Sequence, residues 1–294
     1  MNRFSEKFII LGYGDNSSTP GRFLADGLRS IHQWIKVSHR TIDLATYNLQ
    51  QCAAIVIADC PSRDPIQIVN SHLAKNIPKI YWTYHGKHLL TKNMKLVKEY
   101  QADLVLMSSC LKLKKFFTIP VVFFPLAVPI KFYSGGPPLA ARSVDLSFVG
   151  NCKGTLYAVR KTSLENIRRE FSNHQIVITK GLYLNELAEL YQRSKIIYND
   201  SINETLTLRI FEGIGSKALV ISDTVPEQDL ILSPDQHYVR YLNDSDKIRK
   251  IRHYLHERAE AQSIADCGFN WVMQHHNFAV RAKELLEIIA KYCR

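Results

Sequence analysis

Residues 195–223 read Lys195-Ile-Ile-Tyr-Asn199-Asp-Ser-Ile-Asn-Glu204-Thr-Leu-Thr-Leu-Arg209-Ile-Phe-Glu212-Gly-Ile-Gly-Ser-Lys217-Ala-Leu-Val-Ile-Ser222-Asp223. The first apolar run reads as a strand ending at Asn199, a helix is expected from about 203 to 216, and a second strand follows at once. At 100° per residue, Leu206, Ile210 and Ile214 fall on one stripe, which must face a sheet. Glu212 falls roughly opposite that stripe with Arg209 as its i−3 neighbour, so it is free to address a cleft. Two plainer readings stand beside this one. Ser201-x-x-Glu204 fits a capping box, and Arg209 with Glu212 fits a solvated i,i+3 pair.

The same rhythm of apolar run, turn and helix extends outward. Upstream strands are expected at Phe8–Leu11, Ala53–Ala58, Lys79–Tyr84, Leu104–Met107 and Val121–Phe124. Thr19-Pro20 opens a helix with a hydroxyl N-cap and proline at the first position, and Asp64-Pro65 repeats the device. Residues 125–142 carry four prolines and two glycines and read as a domain linker. Beyond them the alternation restarts at 145–149, 175–179, 195–198 and 218–222, and the tail from Asp246 is helical. Continuously apolar strands alternating with helices imply parallel sheets covered on both faces. The fold class is therefore α/β: two doubly wound Rossmann-like domains facing a central cleft, at 1–128 and 143–275, with a last segment at 276–294. Ligands in such sheets sit beyond the carboxyl ends of the strands.

Composition narrows the function classes. The chain has 294 residues, 46% hydrophobic and 22% charged, enough to bury a core without staples. Its longest apolar stretch, Val121–Ile130, is ten residues broken by Pro125 and Pro129, short of the ~20 a membrane span needs. Residues 1–7 lack a secretory h-region, and the six cysteines form no C-x-x-C pair, so a reducing cytoplasm is expected. A net charge of +11 suits an anionic partner: nucleotide phosphates, nucleic acid or an anionic membrane face.

Gly12-x-Gly14 follows the first strand, but Ser17 stands where a dinucleotide fingerprint has its third glycine, so NAD binding is not expected. Gly12 is left as a tight turn at positive φ or a phosphate or sugar contact. His85, after the strand at 80–84, is either a surface histidine or a group that orients the acceptor or acts as a base. His85-x-x-His88 lacks a third metal ligand. Asp244-x-Asp246 copies a metal-holding D-x-D, yet it precedes a helix at Lys247, where an N-cap explains it.

Several of these segments together resemble the CgeB-like (spore-maturation type) glycosyltransferases of GT-B architecture. Glu204 and Glu212 are spaced as E-x7-E, and Arg209-Ile-Phe-Glu212 leads to an apolar strand and Asp223. Asp145-Leu-Ser-Phe-Val-Gly150-Asn151 with Arg160, Glu186–Tyr191 leading to Asn199, Pro125-Leu-Ala127, and His275–Arg281 are similar to family segments in the same order. The resemblance covers residues 103–294. Lys217 departs from it, standing where the family carries glycine.

The resemblance implies a nucleotide-sugar donor in the C-terminal domain, an acceptor presented by the N-terminal domain, and final helices that cross back to the first domain. It gives Glu212 the donor ribose hydroxyls and places Glu204 near the transferred sugar. Lys153, Arg160 and Arg209 are then candidates for the diphosphate, unless they are merely solvated. Gly150, Asn199 and Gly12 complete the donor-side set, and no metal or other cofactor is expected. The acceptor is open between a glycan or cell-surface polymer and DNA; a nucleotide- or sugar-binding protein without transfer activity is the remaining alternative. No basic stripe interleaved with aromatics favours nucleic acid, and Lys92, Lys95 and Lys98 read as a solvated helix face.

Overall fold

Continuous burial along both faces marks the central strands of the computed structural model, which describes residues 7–14, 18–58 and 65–292. The chain divides into two units, Met1–Leu126 with Phe278–Arg294, and Ala127–Asn277. In the first, β1 (Phe8–Tyr13), β2 (Ile35–His39), β4 (Cys52–Ala58), β6 (Lys79–Thr83), β7 (Leu104–Met107) and β8 (Val121–Phe123) form one parallel sheet in the order β2-β1-β4-β6-β7-β8. A separate parallel pair joins β3 (Thr41–Asp43) to β5 (Gln67–Val69). Helix α1 (Pro20–Ser30) starts as its sequence requires: Thr19 Oγ1 accepts from the Arg22 N–H at 3.4 Å, with Pro20 at the first position. Helix α2 (Leu90–Glu99) crosses from β6 to β7.

Two expectations in this unit need correction. No helix opens at Pro65: strand β5 follows it, and Asp64 lies outside the described residues, as does Ser17. Gly12 is not in a turn, because it lies inside β1 without positive φ. A Cβ there would come within 2.7 Å of Ile42 Cδ1, so glycine serves close packing.

The second unit has the parallel order β10-β9-β11-β12-β13. Its elements are β9 (Val144–Val149), α3 (Ala158–Glu170), β10 (Ile176–Thr179), α4 (Leu184–Arg193), β11 (Ser194–Asn199), α5 (Leu208–Gly215), β12 (Leu219–Ser222), β13 (Val239–Arg240), α6 (Asp244–His256) and α7 (Arg258–His275). From β9 the chain goes to β10 on one side and β11 on the other, so the switch point lies at the carboxyl ends of β9 and β11.

The Pro/Gly-rich stretch is not a free linker. The division falls at its start, and Tyr133, Leu139 and Arg142 are buried within the second unit. Arg142 Nη1 donates to the carbonyls of Tyr191 and Ser194, and its Nη2 to those of Ser216 and Lys217. One guanidinium therefore closes the C-terminal ends of α4 and α5, where orphan carbonyls and the helix dipole both favour a cation.

Helix α8 (Phe278–Tyr292) returns to the first unit and packs on α1. Buried Arg281 donates to the Pro125 carbonyl at 3.1 Å and pairs with Glu284 at 2.6 Å. Among the described residues, no helix is long and apolar enough to cross a membrane. A Cβ on Gly27 would meet the Phe278 carbonyl oxygen at 2.2 Å. Gly27→Ala should therefore destabilise by about 1–3 kcal/mol, although alanine favours helices by about 1 kcal/mol. Denaturant unfolding checks this, and an unchanged midpoint would show that α1 and α8 can separate at no cost.

Candidate functional site

The carboxyl ends of β9 and β11 converge on Arg209, in the first turn of α5. Its guanidinium lies 4.4 Å from the Phe148 ring centroid. Nε and Nη2 donate to the Val149 carbonyl at 3.0 and 2.8 Å, and Nη1 donates to Asn199 Oδ1 at 2.8 Å. Gly150 makes room for this: a Cβ would stand 2.5 Å from Arg209 Nη2. Asn199 is buried, with Oδ1 also accepting from Thr207 Oγ1 at 2.9 Å and Nδ2 donating to Ser222 Oγ at 2.9 Å. Two residues thus tie three strand ends to the start of α5.

Arg160 is buried rather than solvated. Its Nε donates to Asp200 Oδ1 at 3.2 Å and its Nη1 to the Asn151 carbonyl at 3.2 Å, with the Phe148 ring 5.4 Å away. Burial lowers its pKa, and the neighbouring Arg209 charge lowers it further. Asp200 also accepts from Tyr198 Oη at 3.1 Å, and Tyr198 and Ser163 hydroxyls lie 2.9 Å apart. Fully buried Lys247 of α6 donates to Ser163 Oγ and, at 2.6 Å, to Asp244 Oδ1. Asp223 accepts from the Ser201 backbone N–H and hydroxyl, and burial raises its pKa. Lys153 is exposed on the loop after β9.

Glu212 lies one turn beyond Arg209 and is 9% exposed. It is not a solvated partner of Arg209. Tyr133 Oη donates to Glu212 Oε1 at 3.2 Å, and Arg209 and Tyr191 are the other charged or titratable groups facing it. Burial pushes its carboxyl up to about 7, with Arg209 and the Tyr133 hydrogen bond pulling the other way.

The capping box at Ser201 does not form. Helix α5 begins only at Leu208, and Asn203 and Glu204 both have positive φ, with the Thr205 N–H donating to the Ile202 carbonyl at 3.1 Å. That is a type I′ turn, in which glutamate is strained by about 1–2 kcal/mol. Thr207 at the N-cap makes no side-chain cap, because its hydroxyl is turned to Asn199. Lys217 keeps the left-handed conformation that glycine would favour, at φ +58°, and pairs with Asp266 at 3.1 Å. At α6 the N-cap is Asn243, not either aspartate of the D-x-D; Asp244 and Asp246 pair with Lys247 and Arg249. His85 is half-buried in the first unit, 5.0 Å from the Tyr84 ring and 6.0 Å from His88. Among the described residues, no group of three or more His, Cys, Asp or Glu side chains could hold a metal ion.

Arg209, Gly150, Asn199, Arg160 and Glu212 gather in one unit, whereas Gly12 and His85 belong to the other. Tyr133, Phe148 and Asp200 were missed by the sequence reading. Asp200 was detectable as the acid directly after a strand; Tyr133 gave no signal within a stretch read only for its prolines and glycines.

Residues 139–287 match the family model described as glycosyl transferase-like, about half of the chain. A comparison with proteins of curated function finds no sequence match. Among solved structures, an α-glucosyltransferase in complex with UDP-glucose and DNA containing an abasic site is 13% identical, with TM-score 0.69 over 97% of this chain and 99% of that one. Sucrose-phosphate synthase from Thermosynechococcus elongatus is 11% identical, with TM-score 0.69 over 97% and 98%. HepE from Anabaena in complex with UDP-glucose is 9% identical, with TM-score 0.62 over 97% and 99%. The chain belongs to the glycosyl transferase-like family, and its fold is that of the GT-B glycosyltransferases.

Tyr133→Phe removes the hydrogen bond that favours ionised Glu212. With its folded pKa raised above 4.5 to about 7, this carboxyl costs stability as pH rises through that window. The variant should therefore lose about 1–2 kcal/mol at pH 8, where Glu212 is ionised, and less at pH 5.5, where it is neutral. Urea unfolding at both pH values checks this; equal losses would mean that Tyr133 does not hold the carboxylate.

Proposed function

We propose that this glycosyltransferase, of the CgeB-like type, carries a nucleoside-diphosphate sugar on its second unit. It transfers the sugar, without a metal, to a glycan or cell-surface polymer. The observation that carries the reading is Glu212: a carboxyl nine-tenths buried, held by Tyr133, one turn from an arginine that knits the strand ends at the switch point. A carboxylate there accepts hydrogen bonds from two vicinal hydroxyls, as a ribose presents. UDP in the complexes of several structural neighbours supports a uridine donor.

In this reading the diphosphate lies against Arg209, Arg160 and Lys153 and the N-terminus of α5, which has no side-chain cap. Asp200 already balances one of the buried charges, so exposed Lys153 supplies the adjustable one. Gly150 and Asn199 hold these groups in place. Glu204 addresses the transferred sugar from its strained turn, an arrangement that stored strain at a working site would explain. His85, on the first unit, serves the acceptor side. Rate enhancement comes from holding the donor and the attacking hydroxyl in register, with cations and backbone N–H groups stabilising charge on the departing diphosphate. A second reading makes DNA the acceptor, supported by the DNA in the α-glucosyltransferase complexes and by the +11 charge.

Thermal unfolding with UDP, GDP, ADP, dTDP or CMP tests the donor site on wild type and Glu212→Ala. A ligand at 100 times its Kd adds about 2.7 kcal/mol, a shift of several degrees. UDP should stabilise wild type and lose most of that effect in the variant. No shift with any nucleotide would overturn the reading. Turnover of a UDP-sugar in the presence of duplex DNA, absent with glycan acceptors, would select the second acceptor.

A further inference from the structure

Five units of the chain's net +11 charge lie within residues 87–117, where seven lysines face two acids. One of those acids, Asp103, is exposed, and its Oδ2 accepts from the Lys79 backbone N–H at 2.8 Å. The other, Glu99, pairs with Lys95 at 3.3 Å on the surface. Lys92, Lys98, Lys114 and Lys115 are exposed, and among the described residues none has a carboxylate within ion-pair distance.

The fold brings these lysines onto one side of the first unit. The short 3₁₀ helix Leu111–Phe116 follows β7, and its Leu111 and Leu113 share a small apolar cluster with Leu90 of α2. Leu96 and Val97 of α2 and Phe117 meet in the main core of the same unit. The outer faces of α2 and of Leu111–Phe116 are therefore neighbours. At their rim Phe116 is 45% exposed, with Lys115 Nζ 5.4 Å from its ring centroid.

We propose that this lysine face, with Phe116 at its edge, docks the protein on an anionic phospholipid surface. The residue types decide between anionic partners. All seven basic side chains are lysines, compact charges suited to a diffuse headgroup field; the segment has no arginine fork for phosphodiesters or base edges. An exposed phenylalanine among lysines gains by entering the interface between headgroups and acyl chains, whereas on a hydrated polyanion it gains little. Each lysine near such a surface strengthens binding about fivefold. Lys92, Lys98, Lys114 and Lys115 together then give stable but salt-sensitive attachment. The donor assignment plays no part in this inference.

The test is co-sedimentation of the full chain with phosphatidylcholine vesicles, with and without about one-third phosphatidylglycerol, at about 0.1 M salt. Binding should require the anionic lipid. Lys114→Glu with Lys115→Glu should weaken it about 25-fold or more, and Phe116→Ser about tenfold. Lys161→Glu with Lys283→Glu makes the same change in net charge at exposed sites elsewhere and should leave most binding intact. Melting temperatures confirm that each variant is folded. Equal loss in the two double variants would overturn the proposal, since only overall charge would then matter. So would an unchanged Phe116→Ser, or tighter binding to duplex DNA that depends on the same lysines.

Discussion

The guanidinium of Arg209 is the interaction on which the second unit's working end depends. A parallel sheet leaves its carboxyl-terminal backbone groups at the switch point without ladder partners, and something must hold them. Arg209 supplies donors to Val149 and Asn199 from a planar fork seated on Phe148. Asn199 then passes the constraint to Ser222 and Thr207. Gly150 follows from the same contact, because no side chain fits beside the fork. Lysine could not substitute, having one point charge where three directed N–H groups are used.

Around that anchor the unit balances buried charge rather than avoiding it. Arg160 is placed near Arg209, which is unfavourable, and Asp200 offsets it through a close ion pair. Asp200 in turn ends a buried hydrogen-bonded chain that runs through Tyr198 and Ser163 to Lys247. Such a chain is costly if any member is lost, because each remaining polar group would be stranded away from water. It fixes the positions of the guanidinium groups far better than solvated side chains would. Glu212 is the exception: among the described residues no cation forms an ion pair with it, and burial pushes its carboxyl up to about 7 despite the Tyr133 hydrogen bond.

How much of this the sequence disclosed depended on whether a feature was local. Strands such as Ile9–Leu11, Ile55–Ile57 and Ile196–Tyr198 were legible because burial on both faces demands continuous apolar runs. The α1 start at Thr19-Pro20 was legible because caps act within one turn. Edge strand β2, Ile-Lys-Val-Ser-His, was not read as a strand, since an edge is only half covered and carries polar residues. The late start of α5 was missed because Thr207 spends its hydroxyl on Asn199, a contact made across eight residues of chain. Glu212 and Arg209 were recognisable by spacing and family pattern, but their environment was not. Tyr133 comes from 79 residues away, and no spacing rule links it to the carboxyl it holds.

The most direct test is calorimetry of UDP binding at pH 7 in buffers of different ionisation enthalpy, comparing wild type with Glu212→Gln. A carboxyl with its pKa pushed up to about 7 is about half protonated in the free protein, and ribose hydroxyls that donate to it favour the charged form. Wild type should then release about half a proton more on binding than the variant, and the difference should vanish at pH 9. Equal proton release by the two proteins, or equal affinity, would contradict the assignment of Glu212 to the donor and with it the central claim.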